Sequence, residues 1–323
     1  VAPTPDISVV VPSHDRPLRL RWLLNALEEQ TLEPGRFEVI VGHDSAGEET
    51  EALLRSHPLA ARGALRGVAQ PPGSAPPGAN RNAALGLARA PVVAFTDDDC
   101  RPEPDWLERL LDGCERHPGA VVQGATRPDP DEWAYALAPF ALSQDIAPPT
   151  PWAEACNIAY PRALLERLGG FDGAMLTGED ADLAGRARAA GAEVVAAPDA
   201  VVNHAVHTPS LPARVRGAAR WRYMALLVRR HPSLRRALPL GLFWKPRHLA
   251  LGLALLGLAL RRRAGPAALA LALPWALQAR PHYGRTPRGV ARALAELPAQ
   301  AAIDLAEVGA LAWGSAEHRS PLL

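Results

Sequence analysis

The chain has 323 residues, 48% of them apolar and 21% charged, near globular averages; this excludes wholesale disorder and allows two domains at about 150 residues each. A formal net charge of +1 gives no footing for a nucleic-acid partner, although arginine crowds Arg214–Arg263 and acids gather at Glu48–Glu51 and Asp97–Asp105. Three cysteines, Cys100, Cys114 and Cys156, lack C-x-x-C spacing, so they make a poor disulfide framework or zinc site and suit a reducing compartment.

The opening Val1–Asp6 lacks the charged-then-apolar order of a signal peptide and leads into a strand over residues 7–12. Leucines at 20, 23, 24 and 27 predict a helix over 17–30. Strands follow at 37–41, 64–69 and 91–96, with helices at 48–55, 80–89 and 104–116 and a Pro/Gly loop at 71–78. Strands alternating with helices predict an α/β fold with a doubly wound, mostly parallel sheet. Ligands bind beyond the carboxyl ends of such strands. That rule gathers Ser13–Arg16, Asp44 and Asp97–Asp99 onto one rim.

Beyond residue 125 the pattern changes. Residues 129–151 are proline-rich and irregular. A strand is expected at 156–160, a short helix at 161–168 and a helix at 180–190. Two strands follow, at 193–197 and 200–206, then a basic helix at 211–230. The tail holds Leu249–Leu260, 12 residues of Leu, Ala and Gly alone, then Arg261–Arg263, then 16 uncharged residues to Ala279. Both runs fall short of the roughly 20 residues a spanning helix needs. An interfacial or re-entrant hairpin fits better, with Trp244, Lys245, Arg247, Trp275 and Arg280 as interface anchors. The plain alternative is an apolar hairpin packed on the catalytic domain.

Three consecutive carboxylates raise one another's pKa unless a cation sits among them. Mg²⁺ and Mn²⁺ take one or two carboxylates plus phosphate oxygens, so Asp97–Asp99 reads as a metal–diphosphate site or, plainly, as an acidic turn. Glu179-Asp180 opens a helix; acids there are ordinary, yet transfer to a hydroxyl needs such a carboxylate as base. Arg81 at a helix start can meet phosphate, or be a surface arginine. His204 and His207, at the end of a strand, point to opposite faces if extended, so one of them beside the metal is expected rather than both.

Together these features resemble the family 2 glycosyltransferases, which have the GT-A fold. The resemblance rests on Val9-Val10-Val11-Pro12-Ser13-His14-Asp15-Arg16, on Glu38-Val39-Ile40-Val41-Gly42-His43-Asp44-Ser45, on Arg81-Asn82, and on Phe95-Thr96-Asp97-Asp98-Asp99 through Pro104-Asp105-Trp106-Leu107. It continues through Cys156-Asn157-Ile158-Ala159-Tyr160, Gly169-Gly170-Phe171-Asp172 and Gly178-Glu179-Asp180-Ala181-Asp182-Leu183, covering about residues 6 to 230. Single motifs are loose; their order is specific. The usual acidic pair of the second strand is here His43-Asp44. The tail resembles hydrophobic extensions of membrane-associated bacterial members.

The resemblance implies an inverting enzyme with a Mg²⁺ or Mn²⁺ cofactor and a nucleotide diphosphate sugar donor, by analogy a UDP-sugar. Donor contacts fall on Pro12, Ser13, Asp15, Arg16, Asp44, Arg81, Asp97 and Asp98. Asp99 is the direct metal ligand, with Asp97 and His204 beside it. Asp180 is the catalytic base, with Glu179 as its neighbour, and Arg220 or Arg222 adds positive charge. The implied division is a donor half at 1–125, an acceptor half at 126–232 and a hydrophobic tail at 233–323. The acceptor is a hydroxyl on a glycan, a lipid-linked or a small molecule, and its selectivity is expected at 129–155, where Trp133, Tyr135 and Trp152 stand. A membrane-surface partner follows from the tail, and with it a cytoplasmic place at the inner face of the cell membrane. Two other readings share these features: a nucleotide-sugar-binding scaffold without turnover, suggested by His43 and Cys156, and a nucleotidyltransferase, for which Ser13–Arg16 is short of glycine.

Overall fold

The apolar run before Ser13 forms strand β1 (Ile7–Ser13), and every residue of it is buried. This is a computed structural model that describes residues 4–73, 75–281 and 283–323; residues 1–3 of the opening segment and Ser74 of the 71–78 loop lie outside the described residues. β2 (Phe37–His43) is equally buried, as a strand covered on both faces must be. With β3 (Leu65–Ala69) and β4 (Val92–Thr96) they make a parallel set ordered β3-β2-β1-β4. β1 meets β4 only from Ile7 to Val10. Pro12 therefore lies beyond that pairing, and its missing N–H breaks no ladder bond to β4.

Helices α1 (Pro17–Glu28), α2 (Glu49–Ser56), α3 (Pro58–Ala61) and α4 (Pro77–Leu85) connect these strands. α1 buries the four leucines expected of it. α4 lies directly on β2, because a Cβ at Gly42 would stand 2.0 Å from the Asn80 carbonyl oxygen. That approach carries Asn80 and Arg81 to the rim of the sheet.

Among the described residues the sheet has eight strands, ordered β3-β2-β1-β4-β7-β6-β8-β5. The added strands are β5 (Cys100–Pro102), β6 (Val121–Pro128), β7 (Asn157–Pro161) and β8 (Val194–His204). β7 runs antiparallel to β4 and β6, β5 runs antiparallel to β8, and β6 and β8 are parallel. The sheet is thus mixed, and its parallel half carries the donor-side motifs. α5 (Trp106–Arg116), α6 (Arg162–Leu168) and α7 (Glu179–Ala189) complete this part.

β5 and β6 have no counterpart among the strands expected from sequence, and the two strands expected at 193–197 and 200–206 are one strand, β8, with a register shift opposite Gly124 and Ala125. Asn157 holds that irregularity: its amide donates to Ala125 O and Ala200 O, both at 2.8 Å, and its Oδ1 accepts from Trp106 Nε1 at 2.8 Å. Side-chain bonds replace the ladder bonds that the shift removes.

The chain divides into two compact units, residues up to 136 with 143–207, and 137–142 with 208–323. The second unit contains α8 (Leu211–Gly217), α9 (Tyr223–Arg230), α10 (Pro246–Ala264), α11 (Leu273–Ala279), α12 (Pro287–Ala295) and α13 (Leu297–His318). The single basic helix expected at 211–230 is broken by a 3-10 turn at Ala218–Arg222. Within this unit Arg220 lies over the Trp221 ring, and Arg222 lies over the rings of Tyr223 and Trp313. Among the described residues no helix is long and apolar enough to cross a membrane.

Three of the expected interface anchors turn inward instead. Trp275 Nε1 donates to Asp304 Oδ2 at 3.0 Å, Lys245 meets Glu307 at 2.6 Å, and Arg247 meets Asp304 at 2.8 Å. Asp304 and Glu307 are buried on α13, and a buried charge demands a partner. The cations at the start of α10 answer that demand, so they do not reach for a membrane.

Candidate active site

The site begins where β1 and β4 end. Ser13 Oγ donates to Asp98 Oδ2 at 2.8 Å, and Arg16 Nη1 reaches Asp99 Oδ2 at 2.8 Å and Asp98 Oδ1 at 3.3 Å. Burial, then the charge of Asp99, pushes the Asp98 carboxyl up, against the pull of Arg16. Burial works in the same direction on Asp99, but the His207 hydrogen bond and the charges of His204 and Arg16 outweigh it and hold that carboxyl well below the usual range. Of the two neighbours, Asp99 therefore carries the standing charge.

Both histidines face Asp99. His207 Nε2 lies 2.8 Å from Oδ2, and His204 Nε2 lies 3.6 Å from Oδ1. The extended-chain argument, which put them on opposite faces, fails because β8 stops at His204. The chain turns there, and the two rings come to 5.9 Å between centroids.

The residues fit a divalent cation. Asp99 Oδ1 is buried and has no hydrogen-bond partner, since 3.6 Å to His204 is beyond hydrogen-bond reach. Ligand atoms of Asp99, Cys100 and His204 lie within 4.8 Å of one another. A bare carboxylate oxygen beside an imidazole is a donor set for Mg²⁺ or Mn²⁺. Asp97 lies apart from this cluster in its bonding: its Oδ1 accepts from Arg81 Nη2 at 2.6 Å.

Arg81 joins the metal motif to the acidic helix start. Its Nη1 donates to Glu179 Oε1, also at 2.6 Å, and its guanidinium lies 5.3 Å from the centroid of the Phe171 ring. Burial alone would lower its pKa, but Asp97 and then Glu179 raise it further than burial lowers it. Asn82 clamps the same corner, exchanging two 2.8 Å bonds with the backbone of Phe171. Arg81→Ala leaves two buried or half-buried carboxylates unpaired, so a loss of about 3–5 kcal/mol of stability is expected. Chemical denaturation measures it; an unchanged midpoint would mean that the bridge holds nothing.

The acidic helix start is set by Gly178, whose φ of 78° no other residue adopts easily. Glu179 is committed to Arg81. Among the described residues Asp180 accepts only backbone N–H bonds, from Ala181 at 2.8 Å and Ala155 at 3.4 Å. Burial, then the Glu179 charge, pushes the Asp180 carboxyl up to about 7. The nearby Arg81 charge pulls the other way but makes no direct ion pair with it; a carboxylate so placed, with a pKa near neutrality, has the properties of a general base.

Asp44 is buried at the end of β2, and the protein takes both of its oxygens. Oδ1 accepts from Asn80 Nδ2 at 2.9 Å and pairs with His14 Nδ1 at 3.1 Å, while Oδ2 accepts from Ala75 N at 3.1 Å. Burial opposes its charge, but these bonds outweigh burial and lower its pKa. Asp15 holds the neighbouring loop, its Oδ1 accepting from Ala46 N at 2.8 Å. Pro12 is buried within β1.

The structure thus brings Ser13, Arg16, Asp98, Asp99, His204 and His207 together, and separately links Asp97, Arg81 and Glu179. The candidate ligand group holds His204, the histidine expected there, while His207 bonds the other oxygen of Asp99; sequence reasoning missed that contact and the parts played by Asn80, His14 and Cys100. For His207 a signal existed in Pro209, two residues on, which marks a turn rather than a continuing strand. The two departures from the family pattern are taken up inside the protein: His43 is buried against Glu51 at 3.0 Å, and Cys156 Sγ lies 3.4 Å from Thr126 Oγ1.

Comparison with known proteins supplies the rest. The model of glycosyl transferase family 2 matches residues 8–169, and that of glycosyl transferase family group 2 matches residues 92–279. The chain is 28% identical over 276 residues to a validoxylamine A glucosyltransferase of Streptomyces hygroscopicus subsp. limoneus, covering 74% of this chain and 59% of the relative. It is 30% identical over 242 residues to a pre-mycofactocin glycosyltransferase of Mycobacterium tuberculosis (strain CDC 1551 / Oshkosh), covering 71% and 48%. The chain therefore spans about three-fifths or less of the length of these two relatives. Among solved structures it is similar to mannosyltransferase PcManGT from Pyrobaculum calidifontis in complex with GDP-Man and Mn²⁺, at 23% identity and a TM-score of 0.59 over 96% of this chain and 87% of that one. It is also similar to S. aureus TarS 1-349 in complex with UDP-GlcNAc, at 16% identity and a TM-score of 0.52 over 98% and 92%. At these identities the likeness speaks for the fold, which is the GT-A fold.

Proposed function

This chain belongs to glycosyl transferase family 2, and from that premise we propose that it moves a sugar from a nucleoside diphosphate, UDP in the first instance, onto a hydroxyl acceptor with inversion. The observation that carries this reading is the Arg81 bridge. Two carboxylates far apart in sequence, Asp97 of the metal motif and Glu179 beside the base, share one guanidinium at 2.6 Å each. Residues 1–125 are assigned to the donor, 126–232 to the acceptor and 233–323 to the hydrophobic tail.

Asp180 takes the proton of the acceptor hydroxyl as its oxygen attacks the anomeric carbon, in one displacement that breaks the bond to the diphosphate. Glu179, held by Arg81, keeps the Asp180 pKa high without competing for that proton. Asp99 and His204, with His207 on the other carboxylate oxygen, would hold Mg²⁺ or Mn²⁺. Such an ion, when bound, supplies Lewis-acid neutralisation of the charge left on the diphosphate. Arg16, on the exposed side of Asp98 and Asp99, offers positive charge at the same edge, and Ser13 keeps Asp98 turned toward it.

A thermal-shift series tests the donor assignment, using UDP-, GDP- and dTDP-sugars with and without Mn²⁺. A ligand at a hundred times its Kd stabilises by about 2.7 kcal/mol, so the cognate donor raises the Tm by several degrees only when Mn²⁺ is present. Equal curves for all donors would sink the reading.

For the tail we propose a peripheral place on an anionic membrane surface, as expected at the inner face of a cell membrane. Seven leucines between Leu253 and Leu277 are 37–58% exposed, and Arg261–Arg263 are exposed between them. Exposed leucine beside a basic triplet suits acyl chains under anionic headgroups. Each arginine contributes about 1 kcal/mol near such a surface. Replacing all three by glutamine is expected to weaken co-sedimentation with phosphatidylglycerol vesicles by about a hundredfold. Absence of binding by the unchanged protein would refute the proposal.

A further inference from the structure

A cavity of about 620 Å³ opens in the first unit; its lining includes none of Asp99, His204, Arg81, Glu179 and Asp180, and part of it comes from the segment expected to select the acceptor. Strand alternation places it on the other face of the β5–β8 pair. Cys100 and His204 are register partners in the metal cluster, while the next pair, Arg101 and Asn203, lines the cavity. α1 supplies Trp22 and Asn25, and the segment after β6 supplies Asp131 and Tyr135.

We propose that this cavity is a second saccharide site, one that holds a neutral or amine-bearing glycan beside the reacting centre. This inference rests on the glycosyl-transfer reading. Two large aromatic side chains face the same hollow while remaining open to water, Trp22 at 39% and Tyr135 at 57% exposure. Such rings offer an apolar face and a polar tip to a ligand that is itself amphipathic, as a pyranose is, with its C–H face and hydroxyl edge.

The polar groups at the rim are planar and already ordered. Arg101 Nη2 meets Asp129 Oδ1 and Asp131 Oδ2 at 2.7 Å each, while its Nε is buried with no partner. Asn203 Nδ2 donates to Glu103 Oε1 at 2.6 Å. Planar donor–acceptor pairs match the adjacent hydroxyls of a sugar, each of which both donates and accepts.

The charge balance selects among ligands. Five carboxylates line the cavity, Glu29, Glu103, Asp129, Asp131 and Glu132, against two arginines, Arg101 in the lining and Arg19 on Glu132 and over the Trp22 ring, which leaves an excess of negative charge. A nucleotide or a uronic acid would be repelled. The link to the reaction runs through Glu132, which lines the cavity, takes the Arg19 guanidinium on one oxygen and accepts from Val206 N at 2.7 Å on the other. Val206 adjoins His207, the partner of Asp99. A glycan held in the cavity is therefore separated from the metal cluster by the thickness of one strand pair.

Ligand-observed NMR titration of the full chain tests this with three probes, maltotriose, a glucosamine trimer and a galacturonic acid trimer. The neutral or the amine-bearing trimer is expected to bind, and the acidic one is not. Trp22→Ala and Tyr135→Ala each weaken that binding by about five- to tenfold, and Trp22→Phe restores most of it; Tyr135 is 57% exposed, so its variant keeps the Tm, while Trp22→Phe keeps an aromatic ring under Arg19 and separates lost binding from lost packing. Donor binding with Mn²⁺, measured on the same samples, is expected to be unchanged in every variant. Binding of none of the three trimers, preference for the acidic one, or equal binding by the alanine variants overturns the proposal. Loss of donor binding in the unchanged protein would instead count against the transferase reading.

Discussion

Asp180→Asn is expected to lower the transfer rate by about 10² to 10⁴, the usual worth of a general base. The pH profile separates this from a general loss of structure. With the Asp180 carboxyl at about 7, kcat/KM of the unchanged protein rises about tenfold per pH unit below neutrality and levels off above it. The asparagine variant lacks that limb. Glu179→Gln removes the neighbouring charge that helps to raise the pKa, so the limb moves to lower pH. Stability moves the other way from activity. A carboxyl whose folded pKa is raised binds its proton more tightly when folded; its contribution is complete below the ordinary carboxylate range and is lost as pH rises through about 7. Asp180→Asn is therefore expected to be at least as stable as the unchanged protein at pH 8, while being far less active. A variant both unstable and inactive would leave Asp180 as a structural residue.

The parallel half of the sheet was legible because β1, β2 and β4 are largely apolar, buried runs stopped by polar or prolyl residues. The leucine spacing in α1 and the rule that ligands lie beyond strand ends were enough to gather Ser13, Asp44 and Asp97–Asp99 on one rim. β6 escaped because its polar residues look like loop. Gln123 is buried with its amide nitrogen 2.8 Å from Glu154, and Thr126 is buried against Cys156. Their polarity is satisfied by residues some 30 positions away, which no local pattern reveals. β8 was divided at Pro198-Asp199 for a related reason: the amide of Asn157 bridges the irregularity from another strand.

The site was legible in its residue types more than in its pairings. Sequence resemblance pointed to Asp180 as the base with Glu179 as its neighbour, but no local pattern showed the Arg81 bridge, which consumes the Glu179 carboxylate and leaves that of Asp180. Trp275, Lys245 and Arg247 were misassigned because an aromatic or basic residue at the edge of an apolar run looks the same whether its partner is a headgroup or a buried acid. Asp304 and Glu307 lie 29 and 62 residues further along from Trp275 and Lys245, too far for sequence periodicity to connect them.

Asp99→Ala is expected to abolish Mn²⁺ binding and, with it, about a thousandfold of transfer activity, since stabilising charge on a departing diphosphate is worth several kcal/mol. The alternative is that Asp99 only neutralises the bases around it, Arg16, His204 and His207, which would make it a structural counter-ion. The two roles part in Asp99→Asn. The amide keeps the shape and still accepts hydrogen bonds from Arg16 and His207, so a purely structural residue would tolerate it, with Mn²⁺ titration unchanged. As a ligand, Asp99 tolerates neither change, because its buried Oδ1, now without a hydrogen-bond partner, is the atom the ion needs as a charged oxygen. Calorimetric titration of Mn²⁺ into the three proteins without donor reads this directly. Binding retained by Asp99→Asn would move the metal to other carboxylates of the run; binding lost in both variants, with folding intact, leaves Asp99 as its anchor.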